Sequence, residues 1–228
     1  PHNSWQRELN WKCYTLPELG MDQIQPERIQ RSSGMIRISN TGNWSAKEYL
    51  PMAYLENTCA GTGLFWQIEH NGSWHWEIGD QNGHLYLAVS GPNEIYSHWF
   101  KNLASGESFT SVPVAVGVTG APECEHDGLN QAMDTLTAYR RRIRRENEDN
   151  KKLPVIFNDY MNCLWGHPTE EEEYPLIDAA AKAGCEYFCI DAGWYADGDW
   201  WDSVGEWKES KKRFPGGVRK VTDYIRSK

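Results

Sequence analysis

Tyr187-Phe188-Cys189-Ile190-Asp191-Ala192-Gly193-Trp194 is the stretch that decides how this chain is read. An apolar run stops abruptly at an aspartate, the pattern of a buried strand opening into a loop. The loop holds Asp191, Asp197, Asp199, Asp202 and Glu206 beside Trp194, Trp200, Trp201 and Trp207. Upstream, Pro154-Val155-Ile156-Phe157 is a second short apolar run, ending in Asn158-Asp159-Tyr160. A helix is expected between the two. It starts at Thr169, with Glu172 three residues on as in a capping box, and runs through Leu176, Ile177, Ala180 and Ala183 to Gly184. A last helix is expected over residues 217–227. Strand, helix, strand, helix with near-continuous apolar strands is the signature of a parallel sheet covered by helices. Such folds put ligands at the carboxyl ends of their strands.

The first half reads differently. Over residues 34–118 short alternating runs are broken by Gly, Asn and Pro, which indicates antiparallel β-structure. Leu64, Trp66 and Ile68 form one such set, Trp74, Trp76 and Ile78 a second, and Leu85, Leu87 and Val89 a third. A three-residue loop, His70-Asn71-Gly72 with Gly72 left-handed, would pair Ile68 with Trp74 and Trp66 with Trp76 in a hairpin. Its aromatic face is expected to pack on a second sheet, as in half of a β-sandwich, rather than to serve as a binding platform. Residues 112–118 read as a last strand, with Pro113 marking an edge or a strand start. Residues 128–145 read as a helix, on Leu129, Met133, Leu136, Tyr139 and Ile143. The expected organisation is a β-sandwich portion over 1–120, a linker helix over 121–150 and a β/α portion over 151–228.

The net charge of −9 disfavours a polyanion, and the basic run Arg140-Arg141-Arg142-Ile143-Arg144-Arg145 is followed at once by Glu146, Glu148 and Asp149. We read that run as the solvated or interface face of a helix and expect no nucleic-acid partner. Six cysteines, Cys13, Cys59, Cys124, Cys163, Cys185 and Cys189, are scattered without a Cys-x-x-Cys pair. Reduced thiols in the cytoplasm are the expectation, with secretion left open because the chain opens at Pro1. Cys124-Glu125-His126-Asp127 has metal-binding residue types but is read as a loop, and neither metal nor other cofactor is expected. No apolar run approaches the roughly 20 residues that span a bilayer, so no membrane partner is expected.

Carboxylates hydrogen-bond sugar hydroxyls in pairs, and flat indoles cover the C–H face of a pyranose ring. Acidic, tryptophan-rich loops after both strands therefore suggest a carbohydrate site. A retaining glycosidase needs two carboxyl groups about 5–5.5 Å apart. No spacing rule selects such a pair among Asp191, Asp197, Asp199, Asp202 and Glu206.

Several motifs in order add to this. Pro154 to Tyr160, Ile190-Asp191-Ala192-Gly193-Trp194, and Gly205-Glu206-Trp207 followed by Arg213-Phe214-Pro215-Gly216-Gly217 resemble the melibiase-type α-galactosidases of glycoside hydrolase family 36. Gly106-Glu107-Ser108-Phe109, Gly128-Leu129-Asn130 and Tyr139-Arg140-Arg141 look like that family's link between a β-supersandwich and a (β/α)8 TIM barrel. The resemblance begins near Tyr49. It implies a retaining hydrolase acting on terminal α-linked galactose, as in melibiose and raffinose, and commonly a homo-oligomer. It also implies a nucleophilic aspartate after barrel strand four and an acid/base aspartate after strand six. Both are expected beyond Lys228, so this chain is expected to be inactive by itself.

Asp191 matches the first aspartate of the family's Asp-Asp-Gly-Trp motif, which hydrogen-bonds the galactose 4- and 6-hydroxyls. Ala192 replaces the second. Tyr160 stands where many members carry tryptophan, Trp207 matches a tryptophan lining the same subsite, and Trp194 completes the implied substrate-binding set. Alternative readings are an α-N-acetylgalactosaminidase, a galactosyl transferase of the same family, a non-catalytic glycan-binding β-sandwich module or an oligomerisation domain.

Overall fold

Among the described residues, alternation in the first half yields six strands: β1 (Met35–Asn40), β2 (Met52–Asn57), β3 (Thr62–Ile68), β4 (Trp74–Gln81), β5 (His84–Ser90) and β6 (Val114–Thr119). A one-turn helix, α1 (Glu94–Ser97), lies between β5 and β6. The structure, a computed structural model, describes residues 1–21, 34–81, 84–120 and 127–228. They fall into two compact units, 1–144 and 145–228.

In the first unit the strands form two antiparallel sheets, ordered β1-β4-β5 and β2-β3-β6. Side chains of both fill one core. Ile36, Ile38, Trp74, Trp76, Ile78, Leu87 and Val89 come from the first sheet, and Ala53, Leu55, Trp66, Ile68 and Val114 from the second. Ala132 and Leu136 of α2 (Asp127–Ile143) bury Met52 and Phe65 of the second sheet in a separate cluster. β3 is therefore buried on both faces, Trp66 and Ile68 in the inter-sheet core and Phe65 under the helix.

The expected hairpin between residues 62–68 and 74–78 does not form. β3 pairs with β2 and β6, and β4 pairs with β1 and β5. Residues 69–73 carry the chain from one sheet to the other. Gly72 lacks the positive φ that the three-residue loop requires. Instead Asn40 Nδ2 donates to Gly42 O and Gly72 O, both at 3.3 Å, and Ser73 Oγ donates to Gly42 O at 3.3 Å. These bonds tie the turn to the end of β1. Trp66 does meet Trp76, edge-on with centroids 5.3 Å apart, but across the sandwich core. Alternation reports which side chains are buried together; it does not distinguish hydrogen-bonded neighbours from facing strands.

The second unit comprises α3 (Glu148–Lys152), β7 (Ile156–Asn158), α4 (Glu170–Lys182), β8 (Tyr187–Cys189) and α5 (Val218–Ser227). β7 and β8 are parallel, with Ile156, Phe157 and Asn158 opposite Tyr187, Phe188 and Cys189. α4 is the crossover between them, as parallel strands require. The expected N-cap is present: Thr169 Oγ1 accepts from the Glu172 N–H, and in place of the backbone bond of a full capping box it donates to Glu172 Oε2 at 2.7 Å. Gly184 follows the helix at φ 85°. Ile177, Phe214 and Val221 form a core against Phe188, Ile190, Val218 and Tyr224. The strands are less covered than their apolar runs imply, since Ile156 is 60% and Tyr187 55% exposed.

Trp76→Ala is expected to destabilise the first unit by about 3–5 kcal/mol, the usual cost of deleting a buried indole. Denaturant unfolding measures this as a lower midpoint at unchanged slope; a loss below about 1 kcal/mol would contradict the core assignment.

Candidate functional site

Parallel order brings the carboxyl ends of β7 and β8 side by side, and a polar side chain stands at each. Asn158 closes β7, Asp191 follows β8, and Asn158 Nδ2 donates to Asp191 Oδ2 at 2.6 Å. Both residues are exposed. Asp159, next to Asn158, is only 1% exposed. Its Oδ1 accepts the Asp191 backbone N–H at 2.8 Å, and its own N–H donates to Cys189 O at 3.2 Å. A side-chain bond thus extends the strand pairing one step past the last ladder residue.

Asp159 also lies against Glu173 of α4, which is fully buried. Burial, reinforced by the Asp159 carboxyl, pushes Glu173 up to about 9. Burial raises Asp159 as well. Two carboxyls so placed cannot both ionise at neutral pH. The pair therefore shares one proton. Burial also raises the Cys163 thiol, helped by Asp159 and Glu173, and the Cys189 thiol, helped by Asp191 and Asp159.

Aromatic side chains form two groups. Tyr160 stands edge-on to Trp165 at 6.1 Å and to Trp200 at 5.9 Å. Trp207 stacks with Trp194 at 6.4 Å and meets Tyr195 edge-on at 4.8 Å. Trp207 is 59% exposed. Trp194 is half-buried and packs on the Ile177, Phe214 and Val221 core. Of the four expected sugar contacts, then, Asp191 and Trp207 are presented to solvent, Tyr160 is half-buried and Trp194 is largely wall.

The loops after the two strands pass very close to each other. A Cβ on Gly193 (φ 99°) would lie 2.0 Å from Gly166 O, and one on Gly166 (φ 78°) would lie 2.3 Å from the Trp200 ring. Only glycine fits at either position. Arg213, 9% exposed, clamps the second loop: Nε donates to Ala196 O, and a terminal nitrogen donates to Gly198 O at 2.7 Å and to His167 Nδ1 at 3.1 Å. The loop's acids mostly serve its shape. Asp197 accepts from Ser210 Oγ at 2.5 Å, Asp199 accepts from the Trp201 N–H at 2.9 Å, and Glu206 pairs with Lys208.

Asn158, Asp159, Glu173 and Arg213 were not among the residues picked out by sequence as site candidates. Glu173 was legible in principle, because it shares the helical spacing of Ile177 and Ala180, all three buried. Cys124, Glu125 and His126 lie outside the described residues.

Two outcomes are expected. Arg213→Met should free residues 194–201, seen as roughly tenfold faster proteolytic cleavage there; unchanged cleavage would show that the clamp is idle. Glu173 is raised in the fold, so its contribution to stability is complete below its ordinary range near 4.5 and is lost as pH rises toward about 9. Glu173→Gln should therefore flatten the pH dependence of unfolding free energy over that window. One proton corresponds to at most about 1.4 kcal/mol per pH unit. Superimposable profiles would contradict the shared proton.

Comparison with known proteins agrees with this architecture. Residues 111–228 match the family model described as Melibiase. The chain is 26% identical over 227 residues to Alpha-galactosidase 1 of Pediococcus pentosaceus, covering 96% of this chain and 29% of that protein. It is 24% identical over 225 residues to Alpha-galactosidase Mel36A of Lactobacillus acidophilus, with the same coverage of 96% and 29%. Among solved structures it is similar to the GH36 alpha-galactosidase AgaA from Geobacillus stearothermophilus. The TM-score is 0.66 at 21% identity, over 86% of this chain and 27% of that one. A variant of AgaA in complex with raffinose gives a TM-score of 0.68 at 20% identity, over 85% and 27%. The chain spans less than a third of the length of these relatives.

Proposed function

The chain belongs to the melibiase family, and on that premise we propose that it contributes part of an α-galactosidase releasing terminal α-linked galactose from raffinose-type oligosaccharides. In this reading the first unit is part of a β-supersandwich, and β7-α4-β8-α5 are the first two units of a (β/α)8 barrel. The parallel register of β7 and β8 supports it. So do the exposed Ile156 and Tyr187, residues of the kind that parallel sheets cover. The reaction would be retaining, with nucleophile and acid/base assigned to none of the residues described here.

What these residues do is recognise the sugar. The observation that carries the reading is the exposed Asp191 carboxylate at the mouth of the parallel pair, oriented by Asn158 through a 2.6 Å bond. One oxygen takes the Asn158 amide, and the carboxylate keeps lone pairs for the axial 4-hydroxyl of galactose. A site built to accept from that hydroxyl discriminates strongly against its equatorial epimer, glucose, which leaves the acceptor unpaired. The exposed indole of Trp207 covers the C–H side of the ring, Trp194 backs it, and Tyr160 edges the site from the β7 side. A glycan platform on the tryptophans of the sandwich finds no support, since Trp66, Trp74 and Trp76 are 1%, 0% and 4% exposed.

Made as its full gene product, the protein is expected to hydrolyse 4-nitrophenyl α-galactoside in preference to the α-glucoside and to the N-acetylgalactosamine analogue. Asp191→Ala should lower kcat/KM about 10- to 100-fold, the worth of a hydrogen bond to a charged group. Preference for the N-acetyl analogue would reassign the substrate, and an unaffected Asp191→Ala variant would remove Asp191 from the site.

A further inference from the structure

Resting on the reading of Asp191 as the galactose contact, we propose that Asp159 and Glu173 form a positioning pair for sugar recognition. Glu173 donates its proton to Asp159, and Asp159 fixes the Asp191 backbone so that the carboxylate meets the sugar hydroxyl in one orientation.

The geometry carries this. Glu173 is 0% and Asp159 1% exposed. Asp159 Oδ2 and both oxygens of Glu173 are buried without a hydrogen-bond partner among the described residues, as two neighbouring carboxyls are left when only a proton held between them can satisfy both. Among the described residues, the pair accepts through Asp159 Oδ1 from the Asp191 N–H, at 2.8 Å. A leucine at 173 would serve the Ile177 and Ala180 face of α4 equally well, and would need no desolvated carboxyl. The buried acid is intelligible if its proton is used to hold Asp159.

The groups facing the pair are Asp191 beyond β8, Cys189 in β8, Cys163 in the turn after β7 and Glu172 on α4. None is a cation. When Glu173 loses its proton, two neighbouring carboxylates repel without compensation, Asp159 moves off, and the Asp191 N–H loses its partner. Burial holds Glu173 up at about 9, so sugar affinity is constant through neutral pH and falls on the alkaline side.

The test uses the full gene product and galactose itself, with the dissociation constant read from tryptophan fluorescence between pH 6 and 10. The wild-type constant is expected to rise several-fold above pH ~9. Glu173→Leu should raise it roughly tenfold at pH 6 while leaving kcat on the nitrophenyl galactoside within about threefold, because the chemistry lies elsewhere. Glu173→Gln, whose amide N–H replaces the lost proton, should restore affinity to within about threefold and abolish the alkaline rise. The proposal is overturned if Glu173→Gln keeps the alkaline rise, or if a folded Glu173→Leu binds as wild type. If Glu173→Leu does not fold, the Gln profile decides. A wild-type protein that neither hydrolyses the galactoside nor binds galactose overturns the Asp191 reading, and this one with it. Intact activity with an unaffected Glu173→Gln profile overturns the positioning pair alone.

Discussion

A carboxylate that must face solvent is held from below by one that cannot. The bond from the Asp191 N–H to Asp159 Oδ1 links the end of β8 to the end of β7 after the main-chain ladder has run out. Strand ends fray unless something continues the pairing, and here a buried side chain does so. Everything nearby is arranged around that bond. Glu173 of α4 seals the other face of Asp159, Gly193 lets the loop turn beneath Gly166, and Arg213 gathers the carbonyls of the following residues. A rigid floor with a free acceptor on top is what selective recognition of a hydroxyl requires, since misplacement of that acceptor loses the discrimination.

The first unit rests on a different constraint, a strand buried on both faces. Because α2 covers Phe65 while the other sheet covers Trp66 and Ile68, β3 cannot slip by one residue without exchanging two differently shaped surfaces. Gly117 opposite Phe65 leaves room for the ring: a Cβ there would sit 2.1 Å from it.

Much of this was readable in the residues. Thr169 and Glu172 announced the helix start because a capping box is a local device. The β/α order followed from two apolar runs separated by one helical period. Pro113 marked the start of an edge strand correctly. Pairing in the sandwich was not readable, because Trp66 and Trp76 are brought together equally by a hairpin and by two facing sheets, and only Asn40, contacting the turn from β1, separates the cases. Glu173 was hidden by its neighbours. In the run Glu170 to Glu173 the first acid ties α4 to Gly216 and Lys220, the second faces solvent and the third serves the cap, so the fourth looked solvated although it falls on the stripe of Ile177. Asp159 gave no signal at all, since its role depends on a backbone N–H 32 residues away.

The most direct measurement is a crystal structure of the full gene product with galactose bound. The account predicts an Asp191 carboxylate oxygen within about 3 Å of the axial 4-hydroxyl, with Asp159 still accepting the Asp191 N–H beneath it. A sugar bound with that hydroxyl turned away from Asp191, or an Asp191 backbone released from Asp159 in the occupied site, would contradict it.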